Sequence, residues 1–121
     1  MSDVWRALGD VANAADTFPG ILTDSRLQSA DQRVVTFSNG LVVVERILDI
    51  DDEHKRIAYS ALSDNFVHHS ASMQLSDAGD GRTRFVWITD FLPHEAGSFL
   101  EPLIDEGMRC FERRWDSGEK G

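Results

Sequence analysis

Cysteine is nearly absent: Cys110 stands alone in 121 residues. A lone thiol excludes an internal disulfide and any zinc site built on several cysteines. Basic residues are also in deficit, 12 Lys and Arg against 21 Asp and Glu, for a net charge of −9 and a pI of about 4.7. With no basic cluster, nucleic-acid binding through phosphates and docking on anionic membranes are both disfavoured. No apolar stretch approaches the roughly 20 residues of a membrane helix. The start, Met1-Ser2-Asp3-Val4-Trp5, lacks the basic and apolar segments of a signal peptide. Repeats and low-complexity segments are missing too. These absences leave a soluble protein of the reducing cytoplasm as the expectation.

What remains is ordinary for a globular chain: 41% hydrophobic and 27% charged residues. The length suits one domain with a real core, expected over residues 1–116, with 117–121 as a flexible tail. Val4, Trp5 and Leu8 recur at helical spacing behind Ser2 or Asp3 as cap, and Gly9-Asp10 breaks that helix. Residues 11–17 read as a second short helix, ended before Phe18-Pro19-Gly20. Strands are expected over 21–27, 32–38, 41–50, 55–63, 67–77 and 82–92. Asn39-Gly40 marks a hairpin, and 51–54, 64–65 and 78–81 are turns. Short sequential links predict an antiparallel meander.

The last segment changes period. Ala96, Phe99, Leu100, Leu103, Ile104, Gly107, Met108, Phe111 and Trp115 follow the i, i+3, i+4, i+7 rule, with charged residues between. Pro102 falls inside. Either Ser98 and Glu101 form a capping box and the helix starts near Phe99, or it starts at Pro93 and bends at Pro102. Short helices, then strands, then one long helix predict an α+β fold with the helix covering one face of a curved sheet of about six strands.

Strand alternation sorts candidate residues by face. Val67, His69, Ala71, Met73 and Leu75 share one face, and His68 lies on the other. Phe85, Trp87, Thr89 and Phe91 go together, as do Ile57, Tyr59 and Ala61. Leu41, Val43, Glu45 and Ile47 share a face, but both faces of that strand are apolar, so its phase stays open. Adjacent His68 and His69 point apart and cannot readily share a metal, and no zinc-ligand spacing occurs; no metal or cofactor is expected. Cys110 falls off the main apolar stripe, and no Gly-x-Ser-x-Gly elbow exists.

The chain resembles the START-like, or SRPBCC, helix-grip superfamily, which includes polyketide cyclase/dehydrase-like proteins, the birch-pollen-allergen (Bet v 1-like) group and the plant abscisic acid receptors. The resemblance rests on Val4-Trp5-Arg6-Ala7-Leu8-Gly9-Asp10, Phe18-Pro19-Gly20, Asn39-Gly40, Val44-Glu45-Arg46-Ile47-Leu48, Asp51-Asp52, Ile57-Ala58-Tyr59-Ser60 and Phe85-Val86-Trp87 in that order. Each motif is weak alone; their joint order is more specific. The family usually opens with a strand before the first helix, and here that strand is not found. Its absence would leave 82–92 as a free edge, for which a homodimer is expected.

The resemblance implies a cavity between sheet and long helix. It places Glu45 inward, toward ligand through water, with Tyr59 on the wall and the Asn39-Gly40 loop as a gate. The expected ligand contacts are Glu45, Tyr59, His69, Met73, Trp87, Phe99 and Leu103. The bland alternatives are Glu45 paired with a neighbouring strand's arginine at the surface, and His69 as a satisfied core residue. The leading expectation is binding of a small hydrophobic molecule of lipid, polyketide or aromatic type. The rivals are a metal-free cyclase or dehydratase using Glu45 or His69 as the acid–base group, and a regulatory partner protein.

Overall fold

The computed structural model describes residues 2–62, 66–79 and 81–120, without the side chains of Ser2, Phe99 and residues 116–120. The chain opens with α1 (Ser2–Gly9), a 3-10 turn at Val11–Asn13 and the single-turn α2 (Ala14–Thr17). Val4 and Leu8, four residues apart, bury one face of α1. The indole N–H of Trp5 donates to Asp52 at 3.0 Å, which ties α1 to a distant turn. The hydroxyl of Thr17, fully buried, donates to the Ala7 carbonyl at 3.1 Å.

Six strands follow: β1 (Leu22–Ser29), β2 (Gln32–Phe37), β3 (Val42–Asp51), β4 (Arg56–Leu62), β5 (His68–Gly79) and β6 (Arg82–Leu92). They form one curved antiparallel sheet in sequence order, the expected meander. Strand bounds agree with the sequence reading to within two residues; the 64–65 turn lies outside the described residues. A 3-10 turn at His94–Ala96 leads into α3 (Gly97–Lys120), which starts between the two expected points, Pro93 and Phe99, and contains Pro102. Helical backbone runs through Lys120, across most of the expected tail.

The core lies between α3, the two short helices and the inner face of the sheet. Phe111 stacks on Phe85 at 4.0 Å between ring centroids and sits 5.5 Å from Phe18. Cys110 corrects the reading that set it off the stripe: its side chain is buried beside Gly20, where any Cβ would lie 3.5 Å from the sulfur. Gly20 has φ +102°, a left-handed backbone conformation that glycine adopts without strain. Val67 is a second correction. It precedes β5 and is 84% exposed, so the inward row begins at His69.

Candidate functional site

A cavity of about 90 Å³ lies between the inner face of the sheet and α3. Strand alternation delivers its walls. Arg33 and Val35 come from β2, Val43 and Glu45 from β3, Tyr59 from β4, His69 and Met73 from β5, and Trp87 and Thr89 from β6. Helix α3 closes the space with Leu100, Leu103, Ile104 and Gly107. Of the seven expected contacts, six line the cavity; the side chain of Phe99 lies outside the described residues.

The polar end of the cavity is an interlocked set. Glu45 is buried, and it faces Arg33 across the β2–β3 ladder. Arg33 Nε donates to Glu45 Oε1 at 2.8 Å, and its Nη1 donates to the Val11 carbonyl at 3.2 Å. The guanidinium also lies over the Tyr59 ring, 5.1 Å from its centroid, a cation–π distance. Thus Glu45 faces inward and also pairs with a neighbouring strand's arginine, but in the interior rather than at the surface. Arg33 is the cavity residue that the sequence reading missed. Neither a buried carboxylate nor a buried guanidinium is tolerable alone; together, with the extra bonds, they are.

Tyr59 is buried, and burial first, then the negative charge of Glu45, raises the pKa of its phenol. Its oxygen accepts the Trp87 indole N–H at 3.1 Å. No acceptor for its own proton occurs among the described residues, so the phenol O–H can donate to a guest.

His69 has its tautomer set by the backbone. The Ala61 N–H donates to His69 Nδ1 at 2.9 Å, so Nδ1 is unprotonated and the neutral ring carries its proton on Nε2. Burial lowers its pKa against the opposing pull of Glu45, while nearby His68 adds to the lowering. A neutral His69 therefore offers the cavity an N–H donor and no free lone pair. Work as a general base would first have to break the bond from Ala61. His68 lies on the opposite face, exposed, 3.3 Å from the Ser70 hydroxyl.

The apolar end is built by close approach. A Cβ on Gly107 would come within 2.8 Å of the Trp87 ring, and one on Gly97 within 3.2 Å of Phe91. Among the described residues, no hydrogen bond or salt bridge links an α3 side chain to any of the six strands. The Asn39-Gly40 turn stands at the rim: Gly40 has φ +91°, and the flanking Phe37 and Leu41 line the cavity. No group of three or more His, Cys, Asp or Glu among the described residues is placed to hold a metal.

A family model described as polyketide cyclase / dehydrase and lipid transport matches residues 1–115. The chain belongs to this family. The polyketide cyclase / dehydrase and lipid transport fold recurs in solved structures at low identity. An uncharacterised protein from Bacillus thuringiensis superposes with a TM-score of 0.80 at 19% identity, over 93% of this chain and 88% of that one. The protein XoxI from Bacillus cereus gives 0.78 at 19%, over 92% and 84%. A protein from Thermobifida fusca gives 0.73 at 23%, over 93% and 84%. At these identities the likeness carries the fold alone. No curated protein matches the chain. No helix among the described residues is long and apolar enough to cross a membrane.

Proposed function

We propose that the protein binds a small, neutral, largely apolar molecule bearing one carbonyl-type oxygen, held between the sheet and α3. The observation that carries this reading is the pairing of donors and charge at the polar end. Among the described residues, His69 Nε2–H and the Tyr59 O–H have no acceptor, and they stand on the wall of a mostly apolar cavity, the usual design of a small-molecule site. Both favour an acceptor on the ligand. Arg33 is already neutralised by Glu45, so a carboxylate would meet a second carboxylate without an unpaired cation to hold it.

Size narrows the class. A free volume of about 90 Å³ is below the roughly 150 Å³ that holds benzene and far below the 300–1,000 Å³ of common ligand pockets. A one-ring compound needs a small outward movement of α3, which packing alone resists. A lipid or a polyketide needs a large one. The single ring is therefore favoured over the larger members of the expected class. The committed Nδ1 of His69 weighs against the acid–base alternative.

The test is NMR titration with three probes of similar size: acetophenone, ethylbenzene and benzoate. Acetophenone should shift resonances of Tyr59 and His69 and bind about three- to tenfold tighter than ethylbenzene, the worth of about one net hydrogen bond. Benzoate should bind weakest. Tyr59→Phe should shrink the acetophenone advantage. Silence of the cavity resonances toward all three probes would sink the reading, as would a preference for benzoate.

A further inference from the structure

The two edges of the sheet are built differently. β1 carries register shifts on both sides of its central pairing and presents Thr23, Asp24, Arg26 and Gln28, all exposed. Such edges resist pairing. β6 is eleven residues long, pairs with β5 without a shift from Thr83 to Leu92, and contains no proline or lysine. On its outward face Val86 and Ile88 are 41% and 53% exposed. Among the described residues no strand lies on its other side.

The outward face of β6 also has unmet charge. Arg84 and Asp90 stand opposite Ser76 and Ser70 on β5, and Val86 and Ile88 opposite Gln74 and Ser72. No charge on the neighbouring strand faces either ion in the ladder. The order Arg84, Val86, Ile88, Asp90 is self-complementary about Trp87. An antiparallel copy turned about an axis through Trp87 sets Arg84 against Asp90 of the second copy and Val86 against Ile88 of the second copy. Moving the axis to Val86 pairs Arg82 with Asp90 of the second copy but sets Arg84 against Ile88 of the second copy. Moving it to Ile88 sets Val86 against Asp90 of the second copy. The Trp87 axis alone gives Arg84, Val86, Ile88 and Asp90 all matched partners, each match occurring twice by symmetry, while Arg82 meets Leu92 of the second copy at the strand ends.

We infer that β6 is a homodimer edge, pairing antiparallel with β6 of a second copy about Trp87 to make one continuous sheet. The backbone groups of both edges are then satisfied, and the exposed valine and isoleucine rows meet. This inference is independent of what the cavity binds.

The experiment is sedimentation equilibrium of the full chain, with circular dichroism to confirm that each variant is folded. The parent chain should be a reversible dimer. Arg84→Asp and Asp90→Arg should each weaken it about tenfold or more, because each sets two like-charged pairs face to face. The double reversal Arg84→Asp/Asp90→Arg restores opposite charges and should return the dissociation constant to within about threefold of the parent, since only pair identity is exchanged. A monomer at the highest soluble concentration overturns the inference. So does a dimer indifferent to the single reversals, or one that the double reversal fails to restore.

Discussion

The strand wall of the cavity carries charge and hydrogen bonds, whereas the α3 wall is apolar side chain and glycine. On the strand side, Arg33, Glu45, Tyr59 and Trp87 hold one another through directional contacts, and the Ala61 N–H fixes His69 beside them. On the helix side, Gly107 and Gly97 let α3 approach Trp87 and Phe91. Directional contacts define an orientation, and dispersion contacts define a volume. The strand wall is thus suited to choosing the ligand's polar group, and α3 to setting its size.

The sharpest way to break this comparison is to unpair the buried charges. Arg33→Met leaves Glu45 without its partner and should cost about 3–5 kcal/mol in urea denaturation. Arg33→Met/Glu45→Leu should recover most of that loss, because it removes both desolvation penalties. If the single variant cost under about 1 kcal/mol, the strand wall would not be interlocked in the sense argued above.

The helix wall predicts a smaller effect. Gly107→Ala gains up to ~1 kcal/mol of helix propensity but drives a methyl group into the Trp87 ring, an overpacking of about 1–3 kcal/mol. A net loss of up to roughly 2 kcal/mol is expected by the same balance. Trp87→Leu in the same chain should relieve the overpacking, so the double-mutant cycle should be strongly non-additive. Additive losses would mean that Trp87 does not govern the approach of the helix.

The smallest effect is the pH response of His69. Burial holds its pKa in the folded protein below the ordinary 6.5, so the unfolded chain takes up protons first as pH falls. Its contribution to stability is complete above about pH 6.5 and declines from there toward the folded pKa. His69→Gln, whose side-chain oxygen can still accept the Ala61 N–H, should flatten that part of the stability–pH curve. An equal slope in both proteins would contradict a depressed pKa at this site.

Much of the site was legible because alternation is local. The inward positions of Tyr59, His69, Met73 and Trp87 follow from period two and a few apolar neighbours. Arg33 was not, and the reason is a single residue. A two-residue turn at Asn39-Gly40 would pair Ser38 with Leu41 and set Glu45 opposite Val34. In the structure Phe37 N–H donates to the Leu41 carbonyl at 2.8 Å, so three residues form the turn and Glu45 faces Arg33. The usable signal was Arg33 itself, a charge sharing a face with Val35 and Phe37. Cys110 was misplaced because a helix stripe shows where its centre lies, not how far the neighbouring segments wrap around it. Gly20 and Ile21 cover that flank.

The sequence by itself determined the order of elements, the meander and the inward rows of β4, β5 and β6, since each is written in windows of a few residues, while the phase of β3 stayed open. Only the tertiary structure decided the Arg33–Glu45 pair, the proton position on His69 and a free volume of about 90 Å³. Those depend on strand register and on the distance between layers. A one-residue slip in register changes every partner, and small movements at many contacts sum into the separation of helix and sheet.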